Sequence, residues 1–362
     1  MNTSAVLRGG ITLAALFSLL NVVPAQSTAS PAKALYTLVE LRGLSAGSLS
    51  FARDMNASGQ VVGRSGHANG SDTRAVLWTR GVVEDLGALP GGDYSAAFGI
   101  NDRGDVVGTS NTTTAARAFK WSRGHGMLDL GALTGDSGSE ASDVNNAGEV
   151  VGTSSGSRGM RAVFWSAEGH IEDLGVLPGG DQSKGVTLND AGQVVGFSSS
   201  SSGTRAVLWT RGDGMWNLGT LPGDTESEAV DINNSGQVVG SSSGPNGTRA
   251  FLWTSGGGME DLGTLPGGDH SRALGINNAG QVVGASTRAA GLSAFVWTRQ
   301  GGMRDLNGWI PPMDIGLVLS EGHGIGEFGQ IAVLTGGGEH APTAGGDHHE
   351  EEHFYRAFLL TP

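Results

Sequence analysis

Four histidines crowd the C-terminal part of this 362-residue chain: His340, His348, His349 and His353, set among Glu339, Asp347, Glu350, Glu351 and Glu352. Imidazole and carboxylate are the donors that hold zinc, nickel or copper, and His349 and His353, four positions apart, could meet on one helical face or in a wrapped loop. Glycines flank the stretch, and a run of charge is also what a solvated acidic loop looks like. A divalent metal and no cofactor at all are both open readings.

A second set recurs after Pro90, Pro178 and Pro266, where PGGD is followed by Asp93, Tyr94 and Ser95, by Asp181, Gln182 and Ser183, and by Asp269, His270 and Ser271. Loops held by rigid strands commonly carry binding residues, so these nine form a candidate ligand surface. Their alternative role is structural, because Ser and Asp cap turns. A third set contains DMNASG at 54–59 and DINNSG at 231–236, which copy the first six positions of a calcium loop. The twelfth position should be a bidentate Glu but is Ser65 and Ser242, and the flanks read as strands, so a hairpin turn is expected instead. None of the sets supplies an evident nucleophile and base.

The elements that position these residues come from a repeat. Trp78, Trp121, Trp165, Trp209, Trp253 and Trp297 are separated by 43, 44, 44, 44 and 44 residues, and the glycine closing each VVG keeps nearly the same step from Gly63 to Gly284. A period of roughly 40 to 45 residues with four short β-rich segments is the size of a propeller blade. Within one copy, SRALGIN and QVVGAS flank a turn at Asn278, Ala279 and Gly280, and AFLWT and MEDLG flank a glycine-rich turn. Each blade is therefore expected to be a four-stranded antiparallel meander covered on both faces by its neighbours, with the tryptophans packed between blades or stacking on a sugar.

Counting copies gives seven, with second strands near Val61, Val106, Val150, Val194, Val238, Val282 and Ile331. Val39, Glu40 and Leu41 align with the fourth strand of a copy, whereas YRAFLLT at 355–361 aligns with a third strand that has no fourth after it. The expected fold is an all-β, seven-bladed β-propeller over residues 34–362, closed by the N-terminal strand pairing in the last blade, which carries an expanded His/Glu-rich loop at 335–353. A finer alternation doubles the period: Asp54, Asp143 and Asp231 alternate with Gly99, Thr187 and Gly275. The loops that enter each first strand and those between second and third strands should share one face of the ring.

Residues 1–25 read as a secretory signal peptide, with Arg8 ahead of an apolar run from Ile11 to Val23 that is too short to span a membrane; 26–33 read as a polar linker. A secreted, extracellular or periplasmic location is expected. The chain has no cysteine, so no disulfide supports the fold. A net charge of −13 disfavours nucleic acid and anionic lipid as partners. No transmembrane segment is expected in the mature chain, and a monomer is expected.

The units GQVVGxS, RAFLWT, GMEDLGTLPGGD and xINNxG make the chain resemble the bacterial extracellular HAF-repeat proteins over residues 34–362. The resemblance implies a secreted or surface propeller and supplies no activity. At the family's His position this chain has Arg74, Arg117, Arg161, Arg205, Arg249, Ser293 and Arg356, so no role of that His carries over. Two functions remain. The near-identical loops suit a non-catalytic scaffold binding a protein, an envelope polymer or a carbohydrate. The distinctive seventh blade, with Glu321, His323, Glu327 and the His/Glu loop, suits instead a metal-dependent hydrolase or lyase at the channel mouth.

Overall fold

The computed structural model describes residues 35–46, 48–66, 73–311, 318–336 and 356–362. They build seven four-stranded antiparallel sheets, and residues 34–362 form one compact unit. In blade 1, strand a is Leu49–Met55, b is Val61–Gly66, c is Arg74–Thr79 and d is Val82–Asp85. Blades 2 to 6 repeat this order over residues 95–129, 138–173, 183–217, 226–261 and 271–305. Blade 7 takes strand a from Val318–Ile325, b from Ile331–Gly336 and c from Arg356–Thr361. Its d strand is the N-terminal Thr37–Leu41, which runs antiparallel to c with Thr37 opposite Thr361 and Leu41 opposite Ala357. The chain is a seven-bladed β-propeller latched by its first strand.

The a–b hairpin forms because NNAG-type turns place glycine where φ must be positive: Gly280 lies at φ 74 and its N–H donates to Asn277 O at 2.9 Å. The glycine of VVG has a different cause. A Cβ at Gly196 would stand 2.0 Å from Lys184 O, on the adjacent a strand, so only glycine lets the two backbones approach. Every a strand also carries a bulge in its C-terminal half, as between Ala141 and Asp143, which turns one extra side chain aside.

The apolar side chains pack between blades rather than within one. Val62, Ala75 and Leu77 of blade 1 meet Ile100, Val106 and Phe119 of blade 2, and the same arrangement recurs around the ring. Trp78 and Trp165 are 1% and 0% exposed, Leu360 takes the equivalent place in blade 7 at 0%, and of the row only Trp253 is half-buried, so these side chains pack between blades. Clusters that always need two blades explain why a single repeat has no core of its own.

Candidate functional site

The bulges and the a–b turns together line a central channel of about 740 Å³. At the bulge, the seven blades present Arg53, Phe98, Ser142, Val186, Val230, Leu274 and His323, and all seven line the cavity. Copies that read VVG six times in the next strand thus carry six residue types at seven positions where they face the channel. One step deeper, Glu140 and Lys184 reach the cavity and pair at 3.2 Å (Lys184 Nζ to Glu140 Oε1). The wall is lopsided: Val186, Val230 and Leu274 form an aliphatic side, while Arg53 and His323 sit on adjacent blades 1 and 7.

His323 is held by Glu321, whose Oε2 lies 2.8 Å from Nε2. Burial pushes the Glu321 carboxyl up, but the hydrogen bond and charge of His323, with Arg53 and Arg272 nearby, hold it below its ordinary value. An imidazole fixed by an ionised carboxylate is a positioned proton acceptor or cation.

Asp54, Asp143 and Asp231 lie one residue after the bulge and also line the cavity. Each works as a clip between blades. Asp54 Oδ1 accepts the Met55 N–H at 2.7 Å and its Oδ2 accepts the Ile100 N–H of blade 2 at 2.9 Å. Asp143 does the same for Val144 at 2.7 Å and Leu188 at 3.1 Å, and Asp231 for Ile232 at 2.8 Å and Ile276 at 2.7 Å. The doubled period is thereby explained: an Asp of an odd blade clips the following even blade. Gly99 leaves room for the next clip, since a Cβ there would lie 2.8 Å from Asp143 Oδ1. In the calcium-like strings the Asp thus bonds backbone amides of two blades, and among the described residues no group of three or more His, Asp or Glu is placed to hold a metal. Burial raises all three carboxyls, Asp54 to about 7 and Asp231 to about 6, with Asp143 well above its ordinary value. Mutual repulsion adds to the rise for Asp54 and Asp143.

The PGGD loops lie beside the b–c loops, as expected, since Asp93 N bonds Asn111 Oδ1 at 2.9 Å and Asp269 N bonds Thr287 Oγ1 at 2.9 Å. The nine loop residues divide by burial. Ser95, Ser183 and Ser271 are 0 to 1% exposed, and each hydroxyl is a staple: Ser183 Oγ donates to Gly175 O at 2.6 Å and accepts the Ala162 N–H at 2.9 Å. Asp93, Asp181, Gln182 and Asp269 are exposed, while Tyr94 and His270 are half-buried. Asp269 is bonded to His270 Nδ1 at 2.7 Å, and that bond with the one from Thr287 holds its carboxyl below the ordinary value. The cavity contains none of the nine. His340, His348, His349 and His353 lie outside the described residues.

Sequence reasoning singled out His323 and Glu327 of the channel lining, and Glu321 behind His323, but missed the rest of the row. Its signal was present: in near-identical copies, the a-strand positions are where the residues differ.

No family model matches the chain, and no curated protein matches it. The fold is similar to that of streptogramin B lyase, at a TM-score of 0.54 and 14% identity over 91% of this chain and 99% of that one. It is similar as well to a prolyl endopeptidase structure, at a TM-score of 0.52 and 11% identity over 83% of this chain and 46% of that one. At such identities these likenesses speak for the propeller alone. No helix among the described residues is long and apolar enough to cross a membrane.

Proposed function

We propose that the protein is an exported, non-catalytic binding propeller. Its ligand enters the central channel from the a–b turn face and is read by the side chains in which the blades differ. The observation that carries this reading is the coincidence of the cavity with the bulge row, from Arg53 to His323. A scaffold needs identical residues where blades pack and individual ones only where something is recognised. Apart from the buried clips and the Glu140–Lys184 pair, the wall sets Asp102, Asp190 and Glu327 against Arg53, with an aliphatic side at Val186, Val230 and Leu274. A small molecule with a cationic group and an apolar body complements it. The exposed Asp93, Asp181 and Asp269 of the opposite loop face fit a separate protein or carbohydrate contact.

Titration calorimetry of the chain without residues 1–33 against a panel of aliphatic amines, amino acids and oligosaccharides tests the reading. Saturable binding of an amine or amino acid supports it, and binding confined to oligosaccharides contradicts it. The signal-like N-terminus and the resemblance to HAF-repeat proteins support export, which sequencing the N-terminus of the protein from an envelope or culture fraction checks.

The Glu321–His323 pair favours a second reading, a metal-dependent hydrolase or lyase near the last blade. It requires stoichiometric zinc, nickel or copper in the purified chain, lost when His348, His349 and His353 are replaced together by alanine.

A further inference from the structure

Two rings of hydrogen bonds circle the a–b turn face, and both break at the same junction. In the inner ring, the first residue of each turn reaches the next blade: Asn56 Nδ2 donates to Asn101 O at 3.1 Å and Asn101 Nδ2 to Asn145 O at 3.0 Å. The contact recurs from Asn145, Asn189 and Asn233, and Asn277 Nδ2 ends the series on Gly326 O at 3.1 Å. Blade 7 has Gly326 where the others have Asn, so no side chain reaches from it to blade 1.

In the outer ring, each following residue gives its N–H to a side-chain oxygen of the next blade. Ala57 donates to Asp102 at 2.9 Å, Asp102 to Asn146 at 2.9 Å and Asn146 to Asp190 at 3.0 Å, and the series runs on to Glu327. The neighbour of Glu327 is Ala57, which has only a methyl to offer. The serine staple is stretched at this junction too: Ala357 N to Ser50 Oγ is 3.4 Å, against 2.8 to 3.0 Å at the five junctions from blades 1–2 to 5–6, while at blades 6–7 Ser320 Oγ bonds Leu334 O of its own blade instead. The carboxylate clips fall on the junctions of blades 1–2, 3–4 and 5–6.

Blade 7 is joined to blade 1 by an apolar cluster containing Leu41, Met55, Trp78 and Ala332, by the attraction between Glu321 and Arg53, and by the latch strand. That strand is tied by Arg356 Nε to Glu40 Oε1 at 2.8 Å and by Tyr36 stacked on Trp309 at 6.3 Å. Leu41 belongs to both the strand and the cluster, so releasing the strand also unpacks the junction.

We propose that the junction between blades 7 and 1 is a built-in seam, at which the ring opens as a local unit, and that strand Thr37–Leu41 is the strap whose release governs the opening. The seam passes between His323 and Arg53 in the channel wall, so opening widens the cavity on the side of these two residues. Local opening of the least bonded unit ahead of global unfolding follows from the uneven distribution of stability in a fold. The proposal does not depend on what the channel binds.

The absence of cysteine permits a direct test by thiol labelling. Ala332 in the seam and Ala206 in blade 4 are both 0% exposed. In otherwise wild-type chains, the Ala332→Cys thiol is expected to react with a maleimide at least about tenfold faster than the Ala206→Cys thiol under native conditions. Adding Ala57→Asn and Gly326→Asn restores the missing donors and acceptors. Gln330 stands where Gln60 receives Asn56, and the nearest atoms to a Cβ at 326 are the flexible end of Gln330 at 2.8 Å and Met55 Sδ at 3.2 Å. That pair should slow labelling in the seam and leave the blade 4 site unchanged. Glu40→Gln, which loosens the strap, should speed labelling in the seam alone. Equal labelling at the two sites, or variants that move both together, would overturn the seam.

Discussion

At the scale of single residues, the ring depends on polar groups that are buried but fully partnered. Asn189 is 3% exposed; its Oδ1 accepts from Ala191 N at 3.1 Å and Gln193 N at 3.0 Å, while Nδ2 donates to Gln193 Oε1 at 2.7 Å and Asn233 O at 3.2 Å. Replacing it by alanine strands buried amides and a carbonyl, so Asn189→Ala is expected to cost roughly 2 to 3 kcal/mol in urea unfolding. A loss within a few tenths of zero would mean that water serves these groups as well.

The three clips make a prediction about pH. Asp54 and Asp231 have folded-state pKa values of about 7 and about 6, above the unfolded carboxylate range. Between about pH 4 and 7 the folded chain therefore holds more protons than the unfolded one, and stability falls as pH rises through that window. Melting at pH 5 should occur several degrees above melting at pH 8. A melting temperature that climbs across the same interval contradicts the assignment.

At the scale of elements, each hairpin is set by glycines acting in different ways. Gly280 needs a positive φ, which its NNAG turn announces, whereas Gly196 needs the absence of a Cβ, which only the close backbone of strand a reveals. Gly196→Ala should cost at least about 3 kcal/mol or prevent folding, because the obstacle is backbone rather than a movable side chain; a mild effect on thermal melting would show that strands a and b separate easily. The repeat made the strands, their order and the latch legible, since spacing and turn chemistry are local properties. The clips were not legible. That Asp54 bonds an amide 46 residues away in the next blade depends on how two copies face each other across the channel. The same limit hid the site: Phe98, Val186 and Leu274 are ordinary strand residues until the bulge turns them into a cavity. The serines of the PGGD loops looked available because their second partner, an amide N–H on strand c of the preceding blade, is not visible from composition.

At the scale of the whole molecule, the propeller separates two tasks. Packing and bridging residues are copied from blade to blade, and the positions released from that duty converge on the channel. A closed ring with its latch holds Arg53, Glu140, Lys184 and His323 around one space although they are spread over about 270 residues of sequence. The loop face, with Asp93, Asp181 and Asp269, is the competing surface.

The most direct test of this account is one binding isotherm, for whichever amine or amino acid binds the wild-type chain, measured again on two variants. Glu140→Gln with Glu327→Gln alters the channel by removing acidic charge from its wall, and Asp93→Ala with Asp181→Ala and Asp269→Ala alters the loops. The account predicts that the channel pair weakens binding at least about tenfold, or roughly 1.4 kcal/mol, while the loop triple leaves it unchanged. Loss of binding in the loop triple with full affinity in the channel pair would contradict it.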